Sequence, residues 1–308
     1  MIEALQGHVT LTHLGVIRVE GEDAATFLQG QLTNDVQLLP AGQARLAGFL
    51  SAKGRMQASF IVVKRSASEF WLVTSRDLLA PTLKRLSMFV LRAKAKLSDA
   101  GDAIRLVGLA GAIAERCAPD AAPWQTSAEG EASVVRLYPA DGQARALWAA
   151  PAAAALPAAI ADSPALAPAA WLLGEVRSAV PTITTPVVDA FVPQMVNFES
   201  IGGVSFKKGC YPGQEVVARS QFRGTLKRRM YLVQSAAGEL QAGQEVYAAG
   251  DAEQPVGTVV QAAPRAQGGC DALVSMQMAA AAQELHAGSA VGPALQVQPL
   301  PYALLEDI

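Results

Sequence analysis

The sequence is poor in cysteine, histidine and aromatic residues, and each shortage narrows the functions open to it. Cys117, Cys210 and Cys270 are scattered and odd in number, which argues against a disulfide framework and for a reducing compartment. His8, His13 and His286 form no ligand-spaced group with a cysteine, and no CxxC pair occurs. A closed zinc site or a complete iron–sulfur cluster site within one chain is therefore not expected. Charge of one sign is also lacking. With 25 Lys and Arg against 27 Asp and Glu, the net charge is −2, so no whole-molecule field drives the protein onto nucleic acid or an acidic membrane. The most membrane-like stretch, residues 146–161, contains Pro151 and Pro157 and is too short to span a bilayer. Met1-Ile2-Glu3 shows no basic-then-apolar leader. We expect a soluble, cytoplasmic protein.

What is present fits a globular chain. It has 308 residues, 51% hydrophobic and 17% charged, enough for two or three domains. Residues 11–20 read as a strand, after which Gly21-Glu22-Asp23 starts a helix with Ala24, Phe27, Leu28 and Leu32 on one face. Apolar runs at 46–50 and 56–63 flank Ala52-Lys53-Gly54-Arg55 as a hairpin does. A strand at 70–74 precedes a helix carrying Leu79, Leu83, Leu86 and Val90, and shorter strands are expected at 104–109 and 133–137. Residues 146–170, rich in alanine and proline, suit either a linker or a helix followed by a connector. A helical segment follows Trp171 until Pro181 and Pro186 break it. From Lys227 onward, strands at 229–234, 245–248, 257–262, 272–278 and 290–297 suggest a small antiparallel barrel or sandwich. The expected fold is thus α+β: a body over residues 1–225, in two subdomains, and a β domain over 226–308.

The chemistry concentrates in residues 202–215, which run Gly-Gly-Val-Ser-Phe-Lys-Lys-Gly-Cys-Tyr-Pro-Gly-Gln-Glu. The glycines allow tight turns or close approach to a ligand. Pro212 suits the first turn of a helix continuing from Gln214 to Ser220. Cys210 then sits just ahead of a helix N-terminus, with Lys207 and Lys208 nearby. Both influences favour thiolate over thiol, the setting of a reactive or metal-seeking sulfur. The plain alternative is a small buried hydrophobe, and that is the expectation for Cys117 and Cys270. Lys207, Lys208, Arg219, Arg223, Lys227, Arg228 and Arg229 face a single acid, Glu215, in this region. Such a patch suits a folate's glutamate tail, a phosphate or RNA, although Arg228 and Arg229 alone read as a solvated face. No RNA-recognition motif accompanies it, so direct nucleic-acid binding is not expected.

Lys208-Gly209-Cys210-Tyr211-Pro212-Gly213-Gln214-Glu215 resembles the signature of the YgfZ family, K-G-C-Y-T-G-Q-E, with Pro212 in place of Thr. The resemblance extends to Phe27-Leu28-Gln29-Gly30-Gln31 with Thr33, Ala52-Lys53-Gly54, Phe191-Val192-Pro193-Gln194, Asn197 and the closing Pro299-Leu300-Pro301-Tyr302. It implies the fold of the glycine-cleavage T-protein, with tetrahydrofolate or another folate in the body and a β-barrel-like C-terminal domain. It also implies a role in iron–sulfur protein assembly or repair that indirectly supports tRNA modification, with folate and iron–sulfur client or assembly proteins as partners. Cys210 is then the reactive thiol, and Trp171, Lys208, Gly209, Tyr211, Gln214 and Asn197 are the expected folate-site residues. A second tryptophan of the family's folate site falls near Leu14, which cannot stack as a ring does. The T-protein's catalytic aspartates fall at Gln57-Ala58, and Arg177 takes the place of its pterin-orienting glutamate. The alternative reading, a folate-dependent aminomethyl transferase, lacks its acid at these positions.

Overall fold

The computed structural model describes residues 5–224, 226–251 and 253–305. Two five-stranded antiparallel sheets and a closed six-stranded barrel account for its strands. In the first sheet the order is Ala44–Leu50, Met56–Lys64, Glu69–Ser75, Leu14–Glu20 and Lys96–Asp99. In the second it is Gly7–Thr10, Ile104–Ala110, Gln143–Pro151, Ala132–Ala140 and Thr126–Glu129.

Alternation along the strands decides how these sheets stack. Val16, Val63, Trp71 and Val73 of the first sheet share a core with Leu106, Val135, Leu147 and Ala149 of the second, so the two sheets face each other. Their neighbours in sequence point outward. Ile17, Val62, Phe70 and Leu72 meet helices Ala24–Gln29 and Arg76–Ser87. Val107, Val134, Ala146 and Trp148 meet helices Ala112–Cys117 and Ala158–Ala161. The result is a helix–sheet–sheet–helix body with one core between the sheets and one under each helical layer.

The hairpin around Lys53 and Gly54 forms where the sequence places it. The alanine-rich stretch does not become a linker or a helix over its first residues. Gln143–Pro151 is the middle strand of its sheet, paired to Ile104–Ala110 and to Ala132–Ala140. Small side chains at Ala146, Ala149 and Ala150 suit a strand buried on both faces, and Trp148 packs with Ala146 and Ala150 in the core under the helices. Trp171 lies within the helix Pro168–Arg177 rather than ahead of it.

Barrel strands run from Arg228–Ser235 to Ala294–Gln298, and the pairing of those two closes the barrel. The five strands read from the sequence are present, and Leu285–Ala287 is the sixth. The chain then returns to the body, where the Tyr302 hydroxyl donates to the Ala179 carbonyl at 2.8 Å. No helix among the described residues is long and apolar enough to cross a membrane.

Candidate functional site

Between the two sheets lies a cavity lined by residues of both sheets and of the Pro168–Arg177 helix. Its wall is mainly apolar, with Leu14, Leu46, Ile61, Val73 and Leu147, and its polar side is built by Arg145, Glu175 and Tyr138. Trp171 lines it from the Pro168–Arg177 helix. That ring is only 1% exposed. The Arg145 guanidinium lies over it, 4.3 Å from the ring centroid. On the neighbouring strand Gly108 leaves room for it, since a Cβ there would come within 2.7 Å of the indole. The indole Nε1 donates to Glu175 Oε1 at 2.7 Å. Trp171 is a pedestal for two charged groups more than a stacking surface.

Glu175 is the residue the sequence reading missed. Its side chain sits one helical turn after Trp171, where i and i+4 share a face. Besides the indole it is bonded to His13 Nε2 at 3.0 Å, and Gln261 of the barrel donates to Oε2 at 3.4 Å. Burial works to raise its pKa, but the His13 bond and charge, the Arg145 charge and the Trp171 bond outweigh it and hold the carboxyl below its ordinary value. Arg177, two residues on, faces away: its Nε donates to Asp271 and its Nη1 to Asp141, at 2.7 and 2.6 Å. The cavity therefore does contain a carboxylate, displaced from the position where it was sought.

Trp124 is a second missed contributor. It lines the cavity beside Tyr138, with ring centroids 5.7 Å apart, and its Nε1 donates to the Ile201 carbonyl at 2.8 Å. Its φ of 71° is a costly conformation for a bulky side chain and is typical of functional positions. Tyr138 also meets Tyr302 edge-on at 5.6 Å, which brings the chain's closing motif against the cavity wall.

The Cys210 turn is a separate place. Cys210 is exposed, Cys117 partly so and Cys270 buried. The helix behind it is Gln214–Phe222, and Gly213 is its N-cap, so Pro212 precedes the helix instead of opening it. Lys208 is buried with its Nζ donating to the carbonyls of Gln29 and Leu32 and resting over the Tyr211 ring at 4.9 Å. Burial, only partly offset by the charges of Asp35 and Cys210, pushes its ammonium down to about 8. The basic patch is smaller than its sequence. Arg219 pairs with Glu215 at 2.9 Å, Arg228 donates to the Val256 carbonyl, and Arg229 is buried against Glu199.

Comparison with known proteins now places the chain. It is 33% identical to the tRNA-modifying protein YgfZ of Edwardsiella ictaluri, over 93% of this chain and 89% of that one. The YgfZ of Serratia proteamaculans is 29% identical over 97% and 93% of the two chains. The chain belongs to the YgfZ family. Residues 4–131 match the model of the GCVT N-terminal domain. The glycine cleavage system aminomethyltransferase T from Bartonella henselae has the same fold, with a TM-score of 0.72 over 97% of this chain and 87% of that one at 18% identity. The aminomethyltransferase-like α+β body with a C-terminal antiparallel barrel is thus what the chain forms.

The octet residues and Asn197 lie away from the cavity, whereas the closing motif reaches its wall through Tyr302. Lys208, Gly209, Tyr211, Gln214 and Asn197 are all absent from the cavity lining. Thr33 Oγ1 donates to the Gly203 carbonyl at 2.6 Å and accepts from the Gly48 amide at 2.7 Å. Gln194 Nε2 donates to the Val217 carbonyl of the Gln214–Phe222 helix at 2.9 Å. Asn197, at φ 54°, uses both ends of its amide on the Met230 backbone and ties body to barrel. Among the described residues, no group of three or more His, Cys, Asp or Glu is placed to hold a metal ion.

Proposed function

We propose that this chain binds tetrahydrofolate or another folate in the cavity between the sheets, and that it acts in the assembly or repair of iron–sulfur proteins, with Cys210 as its reactive thiol. Support for tRNA modification is then indirect, through iron–sulfur clients, and the setting is the cytoplasm. One observation carries the folate reading: an ionised Glu175 fixed by His13 and Trp171 inside a largely apolar cavity. A pterin is flat and carries neighbouring amino and ring N–H donors. Glu175 is the acceptor for those donors, and Trp124 and Tyr138 offer it aromatic walls. The relatives' names associate the family with tRNA modification. The exposed Cys210 turn, braced by Lys208 and by Gln194 on the helix behind it, is the part of the surface offered to a client.

An aminomethyl transferase needs a proton donor or acceptor beside the folate nitrogen. Ala58 is buried and belongs to the helix-facing core, and Gln57 lies outside the cavity lining. Glu175 is held ionised at neutral pH, which makes it an acceptor and a poor acid. Direct RNA binding has a smaller patch to draw on, since Arg229 is buried against Glu199 and Arg228 is tied to the Val256 carbonyl. The test is a calorimetric titration of tetrahydrofolate into purified protein, followed in parallel by tryptophan fluorescence. Saturable binding is the expected result, and absence of heat and quenching would remove the folate reading. Failure of Cys210→Ala to restore iron–sulfur enzyme activity in a deletion strain tests the thiol's part.

A further inference from the structure

A buried guanidinium without an acceptor is a costly polar feature that the folate reading has not yet used. Arg145 is 3% exposed and lines the cavity. Its Nε is fully enclosed and has no hydrogen-bond partner. Among the described residues none accepts a hydrogen bond from any of its nitrogens. Glu175 acts on it through its charge and accepts no hydrogen bond from it. Leaving a buried donor unpaired costs about 1–3 kcal/mol, and more for a charged group. Stacking on Trp171 positions the guanidinium but supplies no acceptor.

We propose that Arg145 is the specificity-determining donor of the cavity: it hydrogen-bonds the ring carbonyl of the bound pterin, so that the site selects 4-oxo pterins against 4-amino ones. The inference rests on the folate reading and deepens it. A 2-amino-4-oxo ring presents donors at its 2-amino group and N3–H, with the carbonyl oxygen adjacent. The carboxylate of Glu175 matches the donors and the guanidinium of Arg145 matches the acceptor. In a 2,4-diamino ring the carbonyl becomes a second amino group, so the guanidinium meets a donor and stays unpaired. Sites built to pair a polar ligand atom discriminate strongly for this reason.

The test compares folic acid with aminopterin, its 4-amino counterpart, by competition against bound tetrahydrofolate on wild-type protein. Folic acid should bind more tightly by at least about tenfold. In Arg145→Met, which keeps an unbranched side chain over Trp171, the preference should fall to within about threefold. The tail-less 6-methyltetrahydropterin should lose affinity in the variant by the same factor as tetrahydrofolate. Equal binding of folic acid and aminopterin by the wild type overturns the proposal without touching the folate reading, and needs no variant to fold. A variant effect that vanishes with the tail-less pterin would show that Arg145 holds the glutamate tail, which also overturns it. If no folate or pterin binds the wild type, the folate reading falls and takes this inference with it.

Discussion

Gly54 and Gly213 meet with no space for a side chain between them. A Cβ on Gly213 would stand 2.6 Å from the Gly54 Cα, and one on Gly54 would stand 2.7 Å from the Val216 Cβ. Both glycines have positive φ, 72° and 80°, where a side chain is strained even in open space. The hairpin turn of the first sheet is thereby locked against the start of the helix behind Cys210. Gly213→Ala should lose at least about 2 kcal/mol of stability in urea denaturation, from backbone strain and overpacking together. Gly142, at φ 73° and with open space for 4 Å around the place a Cβ would take, is the control. Its alanine variant should show the strain alone, and equal losses at the two positions would rule out the contact.

Trp171 serves the cavity through Arg145 and Glu175. Trp171→Phe keeps an aromatic plate under the guanidinium but removes the indole bond to Glu175. It should fold and weaken tetrahydrofolate binding by about tenfold, the worth of one charge-assisted hydrogen bond. Trp171→Ala should also lose about 3–5 kcal/mol of stability, as a buried large-to-small change does. Calorimetry on the folded phenylalanine variant is the deciding measurement: unchanged affinity would mean that the indole bond does not matter to the site.

Much of this architecture is legible in the residues themselves. Turn residues at regular intervals after Lys227 give the barrel strands, and apolar runs around Lys53 and Gly54 give the hairpin, because both signals are local. The strand Gln143–Pro151 is hidden because its alanines carry no β-preference and its burial on both faces erases any alternation. The cavity is harder still to read. His13 and Glu175 are bonded across 162 positions of sequence, and Arg145 reaches Trp171 from another sheet strand. Two signals were available: Trp171 and Glu175 at helical spacing, and Arg145 as a lone charge in Ala144-Arg145-Ala146-Leu147-Trp148. The motif octet marks the exposed turn correctly. It does not reveal that Lys208 is turned inward, because the carbonyls that hold it belong to Gln29 and Leu32.

Acid should expose the role of Glu175. Its folded pKa lies below the ordinary 4.5, so at pH values between the two the unfolded chain binds more protons. The stability it contributes is complete above that ordinary value and is lost as pH falls through the folded one. Glu175→Gln cannot show this loss. The stability gap between wild type and Glu175→Gln, measured by urea denaturation from about pH 6 downward, should be constant at first and then shrink below about pH 4.5. A gap that does not change with pH would mean the carboxyl is unperturbed by His13, Arg145 and Trp171.

Cys210 carries the last prediction, and exposure is its basis. The three thiols stand in graded surroundings: Cys210 exposed, Cys117 intermediate and Cys270 buried. Burial pushes the Cys270 thiol up, which lowers its thiolate fraction as well as its access. Since the thiolate is the nucleophile, iodoacetamide at neutral pH should label Cys210 first and Cys270 last, as followed by mass spectrometry. The turn that presents Cys210 depends on Lys208, whose ammonium holds the Gln29 and Leu32 carbonyls. Lys208→Met leaves those buried carbonyls without their charged donor and should cost about 1–3 kcal/mol of stability. Cys210→Ala removes an exposed sulfur and should leave stability within about 0.5 kcal/mol of wild type. The two variants therefore separate scaffold from chemistry. If Cys210→Ala is as stable as wild type and still fails to support iron–sulfur enzyme activity in a deletion strain, the thiol acts chemically. Slowest labelling at Cys210, or full complementation by its alanine variant, would reject that role.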